Sequence, residues 1–329
     1  MKEEGLKNLV TIVIPTHYRH HLLGRILDYY KDCGIRILVA DSSLDEFKEK
    51  DKFECEYFHY PDVPYVKKMI DIVRKIKTPY FVFCADDDFI LVSSILKCVK
   101  FLNDSPEYSV AEGNYVRFNE STVSVSVFPW EINSITDFSD TNVYRRAYLL
   151  FSQNVICYYG VQRLCTFKDL ISLVELYDIN YSNVYERLLH FCSAISGKYK
   201  LLSCLYGVRD GRAHPGAILS KWQSGEDDKF KAAVIQYLSH KHNMQEDAAK
   251  KFFVDMWLAR DSNKNFNRPK WRRIVRFILP ERINEIKLRL LGIRMRWSMR
   301  EKLGYPFGGD SEAKREWDII KAQIKKFKK

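Results

Sequence analysis

The chain has 329 residues, 46% hydrophobic and 29% charged, with 20 Tyr and 20 Phe. This composition excludes a disordered or collagen-like chain and allows one main domain with a smaller appendage. The net charge of +11 is unevenly placed: residues 270–329 carry 18 Lys and Arg against 7 Asp and Glu, leaving 35 of each sign before them, so whatever the basic excess does is a function of the tail.

The first apolar run, about seven residues ending at Pro15, is too short for a signal-peptide core or a membrane span, and no other stretch reaches spanning length. Eight cysteines, at 33, 55, 84, 98, 157, 165, 192 and 204, form no CxxC pair and several sit in apolar runs. They read as free thiols of a cytoplasmic protein rather than as a disulfide or zinc framework.

In chain order, residues 9–14 (LVTIVI) form a β-branched strand stopped by Pro15, and residues 20–34 carry apolar side chains at helical spacing up to a glycine. Residues 35–40 (IRILVA) and 56–60 give two more strands, residues 63–76 a helix, and residues 79–85 (PYFVFCA) a fourth strand, continuously apolar as a strand buried on both faces should be. A helix near 92–102 leads into alternating strands at 108–118 and 121–128. Helices follow near 142–152, 168–177 and 184–196, then a strand at 200–208 and a helical stretch at 227–259. Strands alternating with helices predict a parallel, doubly wound α/β sheet, whose ligands bind at the carboxyl ends of the strands.

Three strand ends therefore belong together: Pro15-Thr16-His17-Tyr18-Arg19, Asp41-Ser42-Ser43 and Asp86-Asp87-Asp88. No GxGxxG follows the first strand and no GxxxxGK(S/T) occurs anywhere, which removes the main support for dinucleotide and P-loop readings. Three carboxylates after an apolar strand repel one another unless a cation gathers them. In an extended segment Asp86 and Asp88 would face one side and could share Mn2+ or Mg2+, with a diphosphate completing the oxygen shell. The other reading of the triplet is a helix cap or a solvated acidic turn.

The order IVIPTHYR, ILVADSS, TPYFVFCADDDFI resembles the nucleotide-binding half of the family 2-like glycosyltransferases of GT-A fold, over roughly residues 10–117. The resemblance implies a mostly parallel Rossmann-like sheet in a catalytic domain of residues 1–225, with a nucleotide-sugar half (1–118) and an acceptor half (119–225). A helical, basic region (226–329) follows. It implies a glycosyltransferase that moves a sugar from a nucleotide-sugar donor to a glycan or lipid-linked acceptor, with inversion. Pro15 and Thr16 would border the nucleobase, Arg19 would lie near the nucleotide, Asp41 would contact base or ribose, Asp86 and Asp87 the donor, and Asp88, helped by Asp86, the metal. For Asp41 an Asx turn is an equal alternative, and for Arg19 a solvated helix-start side chain. The family usually has an acidic pair as general base. None stands at a suitable distance here, which leaves Glu186 in NVYERLLHFCSAISGK, whose alternative role is a first-turn helix carboxylate. The family's late basic loop corresponds to VRDGRAHPG, where Arg209 and Arg212 suit a diphosphate and His214 a metal, or else is a solvated loop histidine.

The tail interleaves Arg with apolar residues, as in Trp271-Arg272-Arg273-Ile274 and Ile286 to Met299. An interfacial helix on the inner face of an anionic membrane has this pattern, and so does a bundle folded on the catalytic domain with arginines snorkelling outward. Nucleic acid is disfavoured because the acidic rim repels phosphate. Two other function classes stay open. A nucleotidyltransferase would carry glycines after the first strand, which HYRHH lacks, and a non-catalytic membrane- or nucleic-acid-bound scaffold has no use for the acidic strand end.

Overall fold

The structure, a computed structural model, describes residues 3–121, 124–129, 137–152, 157–211, 225–266 and 310–327. Helix α1 (Glu3–Lys7) precedes strand β1 (Val10–Thr16), helix α2 (His20–Tyr30), β2 (Arg36–Asp41), β3 (Glu56–His59), α3 (Tyr65–Arg74) and β4 (Tyr80–Phe83). Side-chain alternation along these strands builds the layers. Ile12 and Ile14 oppose Val13, Ile37 and Val39 oppose Leu38 and Ala40, and Tyr80 and Val82 oppose Phe81 and Phe83, each set feeding a different core. Both faces are apolar, so these strands are covered on both sides, as a parallel sheet requires.

After β4 come β5 (Phe89–Ile90), α4 (Val92–Asp104), β6 (Tyr108–Ser121), β7 (Ser124–Pro129) and β8 (Asp137–Phe138), then α5 (Val143–Ser152), β9 (Val161–Arg163), α6 (Thr166–Leu176), α7 (Ser182–Ser196) and β10 (Lys198–Asp210). Helices α8 (Glu226–Lys241), α9 (Glu246–Phe266) and α10 (Ser311–Lys326) complete the described chain. The sheet order is β3-β2-β1-β4-β9-β6-β10-β5, with β7 on β6 and β8 on β10. The first four strands are mutually parallel, β9 runs antiparallel between β4 and β6, and β5 is antiparallel to β10.

One core layer packs α3 and α5 to α9 on the sheet, and the other packs α1, α2, α4 and α10. Phe230, Leu238 and Met256 of α8 and α9 share a cluster with Phe81 and Leu188, so the core is continuous across residue 225. Ala313, Ile320 and Ile324 of α10 are buried in the opposite layer. Residues 310–327 thus follow the folded-bundle expectation, while residues 270–309, including Trp271 and Arg272, lie outside the described residues. The cysteines among the described residues are free, most of them buried or half-buried. Among the described residues no helix is long and apolar enough to cross a membrane.

Candidate active site

Strand register brings the three motif ends level. Thr16 pairs with Asp41 in β1–β2, Asp41 with His59 in β2–β3, and Val13 with Phe83 in β1–β4, which carries Asp86 alongside Thr16. Contacts confirm the alignment: the Thr16 hydroxyl donates to Asp86 Oδ2 at 2.6 Å across the sheet.

The acidic segment is a tight turn and not the extended segment the sequence suggested, because the Asp88 N–H donates to the Ala85 carbonyl at 3.1 Å. Alternation is therefore lost. Asp86 and Asp87 share one guanidinium, with Arg19 Nη2 2.5 Å from Asp86 Oδ1 and Nη1 2.9 Å from Asp87 Oδ2. Asp88 faces Arg209, whose Nε donates to Oδ2 at 3.0 Å, and takes the Asp210 N–H on Oδ1 at 2.9 Å. Arg25, buried on α2, donates to the Asp87 carbonyl at 2.6 Å and lies 3.8 Å from Asp210. Arg19 is thus an ion-pair partner held against the turn and not a solvated side chain. Burial pushes the carboxyls of Asp86 and Asp88 up, and Arg19 and Arg209 pull them back.

Asp41 is fully buried and its oxygens are taken. The Ser43 N–H and hydroxyl donate to Oδ1 at 2.8 and 2.6 Å, while Tyr57 donates to Oδ2 at 2.6 Å and His20 Nε2 lies 2.7 Å from it. The bond from Ser43 N–H is the Asx turn. A carboxylate with four internal partners keeps no lone pair for a base or ribose, so the side chains facing outward here are those Asp41 holds, His20 and Tyr57.

Glu186 lies in the second turn of α7, not the first, and is half-buried beside Tyr185. Burial pushes its carboxyl up to about 7, with Arg209 the main opposing influence. One guanidinium is therefore felt by both Asp88 and Glu186, and it stacks over the Tyr159 ring with its carbon 4.7 Å from the centroid. Arg212 and His214 lie outside the described residues.

Two buried charged groups, Lys68 and Glu112, carry no motif signal in the sequence, and Tyr18 of the first strand end shows an unexpected backbone. Lys68 of α3, 1% exposed, donates from Nζ to the Thr16 carbonyl and Ser42 Oγ, both at 2.9 Å, and burial lowers its ammonium to about 8. Lys67 beside it gives no sign of which lysine turns inward; only the amphipathic phase of α3 does. Glu112 of β6 is buried, accepts from Tyr199 at 2.5 Å and Tyr115 at 3.0 Å, and is pushed up by burial to about 7. The Tyr115 ring lies close to Gly207, where a Cβ would stand 2.5 Å from one ring carbon. Tyr18, half-exposed, holds a positive φ of 53° between Thr16 and Arg19, a strained backbone of the kind found at ligand sites.

The candidate ligands for a divalent cation are Asp86 and Asp88, each engaged by a different arginine. Asp86 Oδ1 is buried with Arg19 Nη2 2.5 Å away, so a cation there would displace that guanidinium, while each Asp88 oxygen accepts one bond and keeps lone-pair capacity. Carboxylate oxygens are what Mg2+ and Mn2+ take. Among the described residues no group of three His, Cys, Asp or Glu side chains could hold a metal ion.

No protein-family model matches the sequence, and no curated protein matches it. Among solved structures, the chain is similar to residues 1–349 of S. aureus TarS, a glycosyltransferase, in complex with UDP-GlcNAc, with a TM-score of 0.54 and 14% identity over 77% of this chain and 72% of that one. A second structure of TarS 1–349 gives a TM-score of 0.50 and 13% identity over the same shares. The chain has a GT-A, Rossmann-like fold. Its mixed, mostly parallel sheet with flanking helices places the Asp86–Asp88 turn at the carboxyl end of a central strand.

Proposed function

We propose that this chain is a glycosyltransferase that takes a sugar from a nucleoside-diphosphate sugar and passes it to a hydroxyl of a glycan or lipid-linked acceptor. The observation that carries the reading is the Asp86–Asp88 turn, set beside Thr16, Arg19 and Arg209 at the strand ends of a GT-A sheet. Likeness to TarS bound to UDP-GlcNAc supports the same class, and makes UDP-GlcNAc the first donor to try.

In this mechanism Pro15, Thr16 and the groups around Asp41 border the nucleoside, and Asp86 and Asp87 orient the donor. Asp88 with Asp86 would hold Mn2+ or Mg2+, which when bound neutralises the charge growing on the leaving diphosphate. Arg209 presents a guanidinium suited to diphosphate oxygens next to Asp88, and the role expected of Arg212 from the sequence is the same. Glu186 takes the proton of the acceptor hydroxyl as its oxygen forms the bond to the anomeric carbon, while the bond from that carbon to the diphosphate oxygen breaks. Attack from the face opposite the leaving group inverts the anomeric centre. His214 is proposed as a further metal ligand, and residues 270–309, with eleven Lys and Arg against three Glu, as a contact with anionic membrane where a lipid-linked acceptor would lie.

The test is a thermal-shift panel of nucleoside diphosphates and sugar nucleotides, with and without Mn2+, since a ligand selective for the native state raises the unfolding temperature by mass action. A shift with one nucleotide series that grows with Mn2+ is expected. No shift with any member would overturn the reading, and pyrophosphate exchange in place of nucleoside-diphosphate release would move it to a nucleotidyltransferase.

A further inference from the structure

Helix α4 begins four residues after Asp88, yet it has no cap of its own: Leu91 stands at the N-cap with no side-chain bond, and no acidic residue lies in the first turn. Its open amide groups are taken by a residue more than two hundred positions later. Glu316 of α10 accepts the Val92 N–H on Oε2 at 2.6 Å and the Ser93 N–H on Oε1 at 2.9 Å. The same Oε2 accepts the Tyr29 hydroxyl of α2 at 2.7 Å. One carboxylate thus ties α2 to α4 and offsets the positive end of the α4 dipole.

Both tied helices hold the acidic turn. From α2, Arg25 donates to the Asp87 carbonyl and Tyr30 brackets β5, its hydroxyl donating to the Ile90 carbonyl at 3.0 Å and lying 3.2 Å from the Ile90 N–H. On the α4 side, the Leu91 N–H donates to the Tyr206 carbonyl, and β5 pairs Phe89 with Val208 and Ile90 with Gly207, setting Asp88 against Arg209 and Asp210. Buried Ile320 and Ile324, an ion pair between Lys97 and Asp310 and another between Lys326 and Asp28 at 2.6 Å seat α10 across α2 and α4 along its whole length.

We propose that α10 is a C-terminal strap and that Glu316 is a positioning residue for the Asp86–Asp88 turn, acting through Tyr29 on α2 and through the first turn of α4. A cap acting only on its own helix would protect Val92 and Ser93 and nothing beyond them. The strap fixes the turn itself, so its loss is felt at Asp88, several residues away from any atom of Glu316.

Amide hydrogen exchange on the full chain separates these two roles without any ligand. In Glu316→Ala, and more weakly in Glu316→Gln, whose amide keeps one acceptor, the strap predicts faster exchange at Asp88, Ile90 and Leu91 as well as at Val92 and Ser93. Faster exchange confined to Val92 and Ser93 would overturn the proposal. The second arm, which rests on the sugar-nucleotide reading, is the affinity for UDP with Mn2+, measured well below the unfolding temperature. A loss of about tenfold or more is expected for Glu316→Ala, the range typical of residues that support metal ligands from behind. Unchanged affinity with a lowered unfolding temperature would reduce Glu316 to a structural cap. If the unmutated protein binds no UDP, the functional reading fails, and the exchange pattern alone still decides on the strap.

Discussion

Lys68→Met removes the buried ammonium beneath the Thr16 and Ser42 strand ends. Burial lowers the Lys68 pKa from 10.5 to about 8, which at about 1.4 kcal/mol per pH unit corresponds to about 3 kcal/mol between the charged and neutral forms. A lysine with a depressed folded pKa favours the neutral form in the native state. Wild-type stability should therefore rise by about that amount as pH climbs from about 8 to about 10.5, where the unfolded chain still binds a proton that the native chain has released. Methionine fits the stem but donates nothing to the Thr16 carbonyl or Ser42 Oγ. Thr16 O keeps the Ser42 N–H at 3.1 Å, so the lost hydrogen bonds cost about 1–2 kcal/mol. The variant should thus be slightly the more stable near neutral pH and the less stable by about 1–2 kcal/mol near pH 10, the difference changing sign between. Urea unfolding of both proteins across this range measures it. Parallel curves would refute the claim that Lys68 is held at the cost of its charge.

Glu186→Gln keeps size but cannot accept a proton, so turnover should fall by about two or more orders of magnitude with donor affinity unchanged. In the wild type, kcat/KM should rise as pH passes about 7, where burial places the Glu186 carboxyl; a variant keeping half its turnover removes Glu186 from the mechanism. Glu112, pushed from 4.5 to about 7, makes the native state bind a proton the unfolded state lacks, costing up to about 3 kcal/mol of stability as pH rises through that window. Glu112→Gln should flatten this dependence in pH-resolved unfolding, and an unchanged slope would show that Glu112 does not titrate there. Replacing Arg272, Arg273 and Arg276 together by Gln should weaken binding to phosphatidylglycerol vesicles about a hundredfold, at about 1 kcal/mol per basic residue, and leave UDP binding intact. Equal vesicle binding would end the membrane proposal.

The parallel half of the fold was legible because its strands are long apolar runs between helices of clear period. Each of β1, β2 and β4 lies within a residue or two of its expected place. Of the antiparallel additions β7 was expected, at 121–128, but β5, β8 and β9 are two or three residues each, and such segments carry no periodicity. The helical stretch expected at 227–259 is two helices broken near His242, a hydrophilic break the apolar pattern does not mark. At the site, the motif ends were legible as a group, but the partners of each carboxylate were not. That Asp87 shares Arg19 with Asp86 follows from a turn closed by one backbone hydrogen bond, and that Asp41 is spent on Ser43, His20 and Tyr57 follows from strand register. Lys68, Glu112 and Glu316 went unread for a common reason: charged residues read as solvent-facing unless the element opposite them is known.

The most direct test of the account is a calorimetric titration of UDP into wild type and Asp88→Asn, each with and without Mn2+. Asparagine keeps the shape and the bond from the Asp210 N–H but loses the ion pair with Arg209, so the metal-free fold should be somewhat less stable and the affinities are compared well below both unfolding temperatures. Mn2+ is expected to strengthen UDP binding to the wild type, and Asp88→Asn to lose this enhancement, by about a hundredfold or more, since a hard cation deprived of a carboxylate ligand has lost both charge and coordination. Equal affinity of the two proteins in the presence of Mn2+ would contradict the metal-site assignment and the sugar-nucleotide reading built on it.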